Sequence, residues 1–304
     1  MPLPHKRLKP SGNPVRDRAL AAYLGVALGD ALGATTEFLR PAEIESRYGK
    51  HQDLTGGGWL HLKPGQVTDD TQMNLAVGWA MVEAKTMDAV AVGEKLLGWM
   101  SSKPADIGST VRQGLHHFRR TGETEAPHSE YHAGNGAAMR ILPVILACLN
   151  RPDDLEPWLV TQGHLTHNHP ESDFGMAMLG QLSRAAILQG QGAPLDSIMM
   201  AWVEKNPKFD PKKFKRSIDG YIVNSMRTAL YYFKTTRDFE ECMVAIANAG
   251  GDTDTNATLA AMVAAPFYGL ESLPPRWLKK LDKAVQTEIT DQVEQLFAVF
   301  NPEA

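Results

Sequence analysis

Cysteine is almost missing: Cys148 and Cys242 are the only two in 304 residues. That excludes a disulfide-stapled scaffold, and two thiols in so large a chain fit a reducing compartment. Both lie in apolar helical patterns, Cys148 directly after Val144-Ile145-Leu146-Ala147. A free thiol in such a place behaves as a small buried hydrophobe. No uncharged apolar stretch reaches about 18 residues, the length a membrane-spanning helix needs. Neither sign of charge dominates, since 31 basic and 35 acidic residues leave a formal net charge of -4. That balance excludes a nucleic-acid groove or a polybasic membrane anchor as the organising feature. Alternating runs rich in Val, Ile and Thr are scarce, which excludes a substantial sheet. Low-complexity linkers and fixed-period repeats are missing too, so nothing divides the chain. Residues 1–14 hold His5, Lys6, Arg7 and Lys9 among prolines, with no apolar centre. They read as a flexible basic arm rather than a secretory signal. The cytoplasm is the expected location.

What is present is helical periodicity. Met73, Val77 and Met81 recur every fourth residue, with Ala76, Ala80 and Ala84 on an adjoining stripe. This predicts an amphipathic helix entered at about Thr71. A helix or broken pair is expected over 16–38. Further helices are expected at roughly 87–101, 109–120, 137–149, 154–165, 172–189, 195–204, 215–233, 238–248, 254–268 and 276–299. Arg40-Pro41, Thr55-Gly56-Gly57-Gly58, Lys63-Pro64-Gly65, Lys103-Pro104, Gly134-Asn135-Gly136, Gly190-Gln191-Gly192 and Leu273-Pro274-Pro275 punctuate them. One all-α domain spanning 15–304 is predicted, with loops converging on a site.

Two acid-and-hydroxyl clusters carry the chemistry. One is Thr68-Asp69-Asp70-Thr71; the other is Gly250-Gly251-Asp252-Thr253-Asp254-Thr255. Both offer carboxylate and hydroxyl oxygens without Cys or His, a donor set for Mg²⁺, Mn²⁺ or Ca²⁺ rather than Zn²⁺. The bland alternative is that Thr68 or Asp70, and separately Asp254, cap the helices that follow. Packed together, four carboxylates repel unless a cation sits among them. Neighbouring residues on a helix diverge by about 100°, so Thr68, Asp69 and Asp70 are expected on irregular backbone. Gly250-Gly251 permits backbone that a Cβ would block.

Other features are less specific. Gly134-Asn135-Gly136 opens onto an apolar helix, and a glycine-rich turn at a helix N-terminus exposes N–H groups to an anion such as pyrophosphate; an ordinary turn is the alternative. Arg140 suits a phosphate or a structural pair equally. His164, His167 and His169 crowd together, but the acidic clusters offer a harder metal site than a zinc reading needs. Tyr131 and Tyr231-Tyr232 could stack on a base or simply fill core.

With those motifs in hand, the chain resembles the ADP-ribosylglycohydrolase family from about Arg16 to Trp277, with the motifs in the family's order. Gly25 through Ala34 to Glu37-Phe38 resembles the family's first helix and its acidic loop. Gly134-Asn135-Gly136-Ala137-Ala138-Met139-Arg140 with Pro143 resembles its phosphate-contacting segment, and Thr166-His167 with Pro170 its central His motif. The second acidic cluster is the most specific match. Lys103-Pro104-Ala105-Asp106-Ile107-Gly108 resembles a loop of the dinitrogenase reductase-activating branch. The resemblance implies a single-domain orthogonal helical bundle and two Mg²⁺ or Mn²⁺ ions on Thr68, Asp69, Asp70, Asp252, Asp254 and Thr255. It implies Glu37 as a mobile ligand or gate, with Glu37, Asp69 and Asp106 in the catalytic set. Gly134, Asn135, Gly136, Met139 and His167 would then bind substrate, His167 at the phosphates or ribose. Asp106 could take a guanidinium in a bidentate bond. The implied activity is hydrolysis of ADP-ribose from a modified protein, at arginine in that branch, with free ADP-ribose as product ligand. Neither nucleic acid nor an integral membrane segment enters this reading. The rivals are a serine-linked or small-molecule ADP-ribosyl hydrolase, a non-catalytic ADP-ribose-binding module, and a phosphohydrolase that leaves AMP.

Overall fold

Twelve of the thirteen residues from Ala21 to Gly33 are apolar, and Asp30 is the exception. A helix with no polar face must be buried on all sides. In the computed structural model, which describes residues 10–217 and 219–302, this helix is α1 (Pro14–Gly33) and it runs through the centre. Asn13 caps it by accepting the N–H groups of Val15 and Arg16. The helices that follow are α2 (Pro41–Tyr48), α3 (Asp69–Ala84), α4 (Ala89–Ser101), α5 (Ser109–Thr121), α6 (Leu142–Ala147) and α7 (Pro152–His164). Then come α8 (Pro170–Gln189), α9 (Leu195–Lys205), α10 (Ile222–Thr235), α11 (Phe239–Ala247), α12 (Thr253–Tyr268), α13 (Pro275–Lys280) and α14 (Lys283–Phe300). Among the described residues there is no strand, only the isolated bridges Gly57–Leu62 and Gly134–Tyr221. No helix among them is long and apolar enough to cross a membrane. Of the expected arm, residues 1–9 lie outside the described residues.

The central partner of α1 is α12, itself buried from Thr253 to Pro266. Gly25, Gly29 and Gly33, one per turn of α1, let the backbones close. A Cβ at Gly33 would lie 2.4 Å from the Thr253 carbonyl oxygen, and one at Gly29 3.0 Å from that of Ala257. The glycine stripe therefore sets where α12 begins, and so where the second acidic cluster stands. Leu24, Leu28 and Leu32 on α1 are fully buried, each stabilising the fold by about 1.5–3 kcal/mol. Helices α3, α8, α10, α11 and α14 pack around this pair. Cys148 and Cys242 are free and buried, and burial pushes both thiols up to about 12.

Several boundaries differ from expectation. The 16–38 segment stops at Gly33 and continues as turn through Phe38. Arg40-Pro41 starts α2 instead of merely breaking the chain, because proline is at home in a first helical turn. The 137–149 segment divides into a 3₁₀ turn at Ala138–Arg140 and α6. The 215–233 helix begins only at Ile222. The 276–299 helix breaks into α13 and α14. There Asp282 donates its N–H to the Gly65 carbonyl at 3.1 Å, while its carboxylate caps Ala284 at 2.8 Å.

Candidate active site

Helices α3 and α12 begin side by side. Asp69 and Asp70 occupy the first turn of α3, and Asp254 the first turn of α12, with Thr68 and Asp252 at the N-cap positions. The helix thus starts two residues before the expected entry at Thr71, and Asp69 and Asp70 project from helical rather than irregular backbone. Neither Thr68 nor Asp252 uses its side chain as a cap. Among these residues Asp254 alone takes up a first-turn N–H, that of Thr255 at 2.8 Å. The capping alternative therefore accounts for little of either cluster. Thr255 Oγ1 donates to Asp70 Oδ2 at 3.4 Å and joins the two clusters directly.

The clusters share one cleft of about 750 Å³, lined by Glu37, Asp69, Asp70, Asp106, Asp252, Asp254 and Thr255 among others. Of the six expected metal donors, Thr68 alone does not line it. That residue is fully buried behind the cleft, its hydroxyl donating to Asp30 Oδ1 at 2.9 Å. With its proton so directed, the Thr68 oxygen keeps free lone pairs. Carboxylate oxygens of Glu37, Asp252 and Asp254 all lie within 4.8 Å of one another, and all three residues are buried. Asp252 is steadied by Asn135 Nδ2 at 2.6 Å, itself 2.9 Å from Ser225 Oγ.

The electrostatics are those of a site short of positive charge. Burial, aggravated by Asp252, Asp106 and Asp69, pushes Glu37 up to about 8 against the opposing Trp59 hydrogen bond. Burial, with Asp106 and Asp30, pushes Asp69 to about 8. Burial, Asp30 and Asp69 raise Asp70 far above its usual range, and burial, Glu37 and Asp70 do so for Asp254. Asp70 Oδ1 is buried with no hydrogen-bond partner. A divalent cation removes the conflict that raises these groups. The all-oxygen set and the orphaned carboxylate oxygen fit such an ion.

Glu37 is held from two sides. Trp59 Nε1 donates to its Oε2 at 2.6 Å. The next residue, Phe38, has a left-handed φ of 61° and donates its N–H to the Gly251 carbonyl at 2.8 Å. Gly251 returns an N–H to the Leu39 carbonyl at 3.1 Å. The expected role of Gly250-Gly251 is visible here. Both have positive φ, and a Cβ on Gly250 would sit 2.4 Å from the Leu39 carbonyl oxygen.

All five expected substrate-binding residues, Gly134, Asn135, Gly136, Met139 and His167, line the same cleft. Their arrangement differs from a glycine-rich helix opening. Gly134 and Gly136 flank the His167 ring, and a Cβ on either would come within about 3 Å of it. The glycines are there to admit an imidazole. His167 is buried and held well below its usual pKa by burial and by the Arg140 guanidinium. The three crowded histidines diverge. His164 pairs with Asp173 at 3.1 Å, His167 Nδ1 meets Thr166 Oγ1 at 2.7 Å, and His169 Nδ1 caps α8. They form no common metal site. Arg140 bonds Gln162 and Thr166 and does not line the cleft. Tyr131 is exposed at the cleft, whereas elsewhere Tyr231 stacks on Phe214 and Tyr232 meets that ring edge-on.

Sequence reasoning missed Asp30. It is fully buried on α1 and accepts from the backbone N–H and the hydroxyl of both Thr68 and Thr71. A lone acid inside an otherwise apolar helix was the available signal, since such a group survives burial only when partnered. Trp59 was also missed, and nothing local in the sequence links it to Glu37.

The ADP-ribosylglycohydrolase family model matches residues 11–304. ADP-ribosyl-[dinitrogen reductase] glycohydrolase of Rhodospirillum rubrum is 44% identical, over 95% of this chain and 98% of that protein. ADP-ribosylarginine hydrolase Tri1 of Serratia proteamaculans is 29% identical, over 92% and 79% respectively. A solved structure described as an ADP-ribosylglycohydrolase-related protein complex superposes with a TM-score of 0.83 at 30% identity, covering 94% of this chain and 98% of that one. The chain belongs to the ADP-ribosylglycohydrolase family.

Proposed function

We propose that this enzyme hydrolyses the N-glycosidic bond between ADP-ribose and a modified arginine of a protein. The observation that carries the reading is the convergence of Glu37, Asp69, Asp70, Asp252 and Asp254 in one cleft. The choice of arginine is supported by the relatives, which are described as acting on dinitrogen reductase and on ADP-ribosylarginine. Thr68, Asp69, Asp70, Asp252, Asp254 and Thr255 would hold two Mg²⁺ or Mn²⁺ ions, with Glu37 beside them. When bound, such ions orient ribose hydroxyls and polarise a water.

The chain's own groups supply the rest. The water oxygen bonds to the anomeric carbon as the carbon–nitrogen bond breaks; the departing nitrogen keeps that electron pair and takes up the proton that the water gives up. The transition state has oxocarbenium character, so the carboxylates of the cleft stabilise its developing positive charge. Asp106 Oδ1 accepts the Ile107 N–H at 2.7 Å. Its other oxygen remains to receive a guanidinium N–H and orient the leaving group. Gly134, Asn135, Gly136, Met139 and His167 would contact the nucleotide portion. A cytoplasmic setting belongs to the same reading, in keeping with the two free buried thiols.

The test is release of free ADP-ribose, read by mass, from arginine- and serine-modified proteins supplied with Mn²⁺ or Mg²⁺. Asp254→Ala should lower the rate by roughly 100-fold or more, as loss of a metal ligand does. Full activity in that variant, AMP as product, or binding without turnover would refute the proposal.

A further inference from the structure

Arg140 is a buried charge with no charge opposite it. Its side chain is inaccessible to solvent, and its partners are neutral. Nε donates to Gln162 Oε1 at 2.7 Å, and Nη2 donates to the Gln162 carbonyl at 2.9 Å and to Thr166 Oγ1 at 2.8 Å. Nη1 is buried with no partner at all. A guanidinium placed this way is costly to bury, which asks what it does there.

The directions of the hydrogen bonds answer that question. A guanidinium has only N–H groups and cannot accept. Thr166 Oγ1 therefore accepts a hydrogen bond from Arg140, and its own proton points elsewhere. The polar atom waiting for it is His167 Nδ1, 2.7 Å away. A hydroxyl proton aimed at Nδ1 makes that nitrogen an acceptor, so the ring carries its proton on Nε2. Nε2 is the edge turned toward Gly134 and Gly136 in the cleft. A doubly protonated ring would place two donors against one hydroxyl and leave the hydroxyl proton without a target.

We infer that Arg140 is a positioning residue. Acting through Thr166, it fixes His167 as the neutral Nε2–H tautomer, which presents one uncharged hydrogen-bond donor to an oxygen of the ligand in the cleft. The identity of that ligand rests on the proposed ADP-ribose reading; the tautomer does not. Gln162 completes the frame, since its Nε2 donates to the Ala137 carbonyl at 3.1 Å and so ties the relay to the loop that carries the glycines.

Thr166 is the place to test this, because Thr166→Val keeps the shape and deletes the relay while Thr166→Ser keeps the hydroxyl. Nitrogen NMR of the full chain with labelled imidazoles, at neutral pH, reads the tautomer directly. The wild type and Thr166→Ser should show Nε2–H at His167, and Thr166→Val should show mixed tautomers. Affinity for ADP-ribose should fall about fivefold to tenfold in Thr166→Val, as for one lost hydrogen bond, with turnover at saturating substrate changed less. An Nδ1–H or doubly protonated His167 in the wild type overturns the inference, and so does an unaltered tautomer in Thr166→Val. Should Thr166→Val fail to fold, the wild type and Thr166→Ser still decide. A correct tautomer in a protein with no affinity for ADP-ribose would refute the ligand and leave the relay standing.

Discussion

Gly33→Ala is the sharpest way to ask whether the central helix pair positions the acidic site. The new Cβ would lie 2.4 Å from the Thr253 carbonyl oxygen and 2.5 Å from both the Cα and the N of Asp254. Ordinary contact needs about 3.5 Å, so the shortfall is roughly 1 Å against three backbone atoms that cannot rotate away. Overpacking of this kind costs about 1–3 kcal/mol, and rigid neighbours put Gly33 at the upper end, near 3 kcal/mol. At about 2 °C per kcal/mol for a chain of this size, the melting temperature should fall by roughly 6 °C. Two of the three crowded atoms belong to Asp254, so Mn²⁺ affinity measured by calorimetry should fall as well. Gly29→Ala, with its nearest contact at 3.0 Å, should cost less. Gly98→Ala inside α4 meets nothing within 4 Å. It should instead gain about 0.5–1 kcal/mol from reduced chain entropy and better helix propensity. A Gly33→Ala protein as stable as the wild type, with unchanged metal affinity, would refute the packing argument.

Two further predictions concern side chains. Trp59→Phe keeps the ring against Phe38 but removes the N–H donated to Glu37 Oε2. Steady-state kinetics should show kcat/KM lower by about tenfold with little change in melting temperature, the effect of one charge-assisted hydrogen bond; wild-type kinetics would dismiss that role. His164 has its pKa raised by the hydrogen bond to Asp173, against the opposing effect of burial. Protonation therefore favours the folded state, and the stability it adds is complete below the unfolded value of about 6.5. That stability is lost as pH rises through the raised folded value. Urea titrations of wild type and His164→Gln should differ most in mildly acid buffer and converge at alkaline pH.

The helical class was legible because strand periodicity is missing and apolar spacing is helical almost everywhere. The acidic clusters were legible because double carboxylates beside threonine at two helix starts are an unusual use of helix-capping positions. What stayed hidden depends on distant partners. The break at Leu281 and Asp282 is imposed in part by Gly65, more than two hundred residues away. The start of α10 at Ile222 follows the bonds that tie Ile222 and Asn135 to the facing segment, through the Ala133 and Gly220 carbonyls. Gly134 and Gly136 looked like a turn because local sequence does not reveal that His167 will lie between them. Asp30 was readable in principle. Its apolar surroundings marked it as a buried acid, but not as the acceptor shared by Thr68 and Thr71.

The reciprocal backbone bonds between Phe38, Leu39 and Gly251 carry a last consequence. The backbone beside Glu37 is stitched to the loop that leads into Asp252, while its carboxylate is tethered separately by Trp59. Displacing that stretch of backbone either breaks those two amide links or carries the neighbouring acids along. A backbone shift there disturbs the negatively charged basin, whereas a turn of the Glu37 side chain alone has only the Trp59 bond to break.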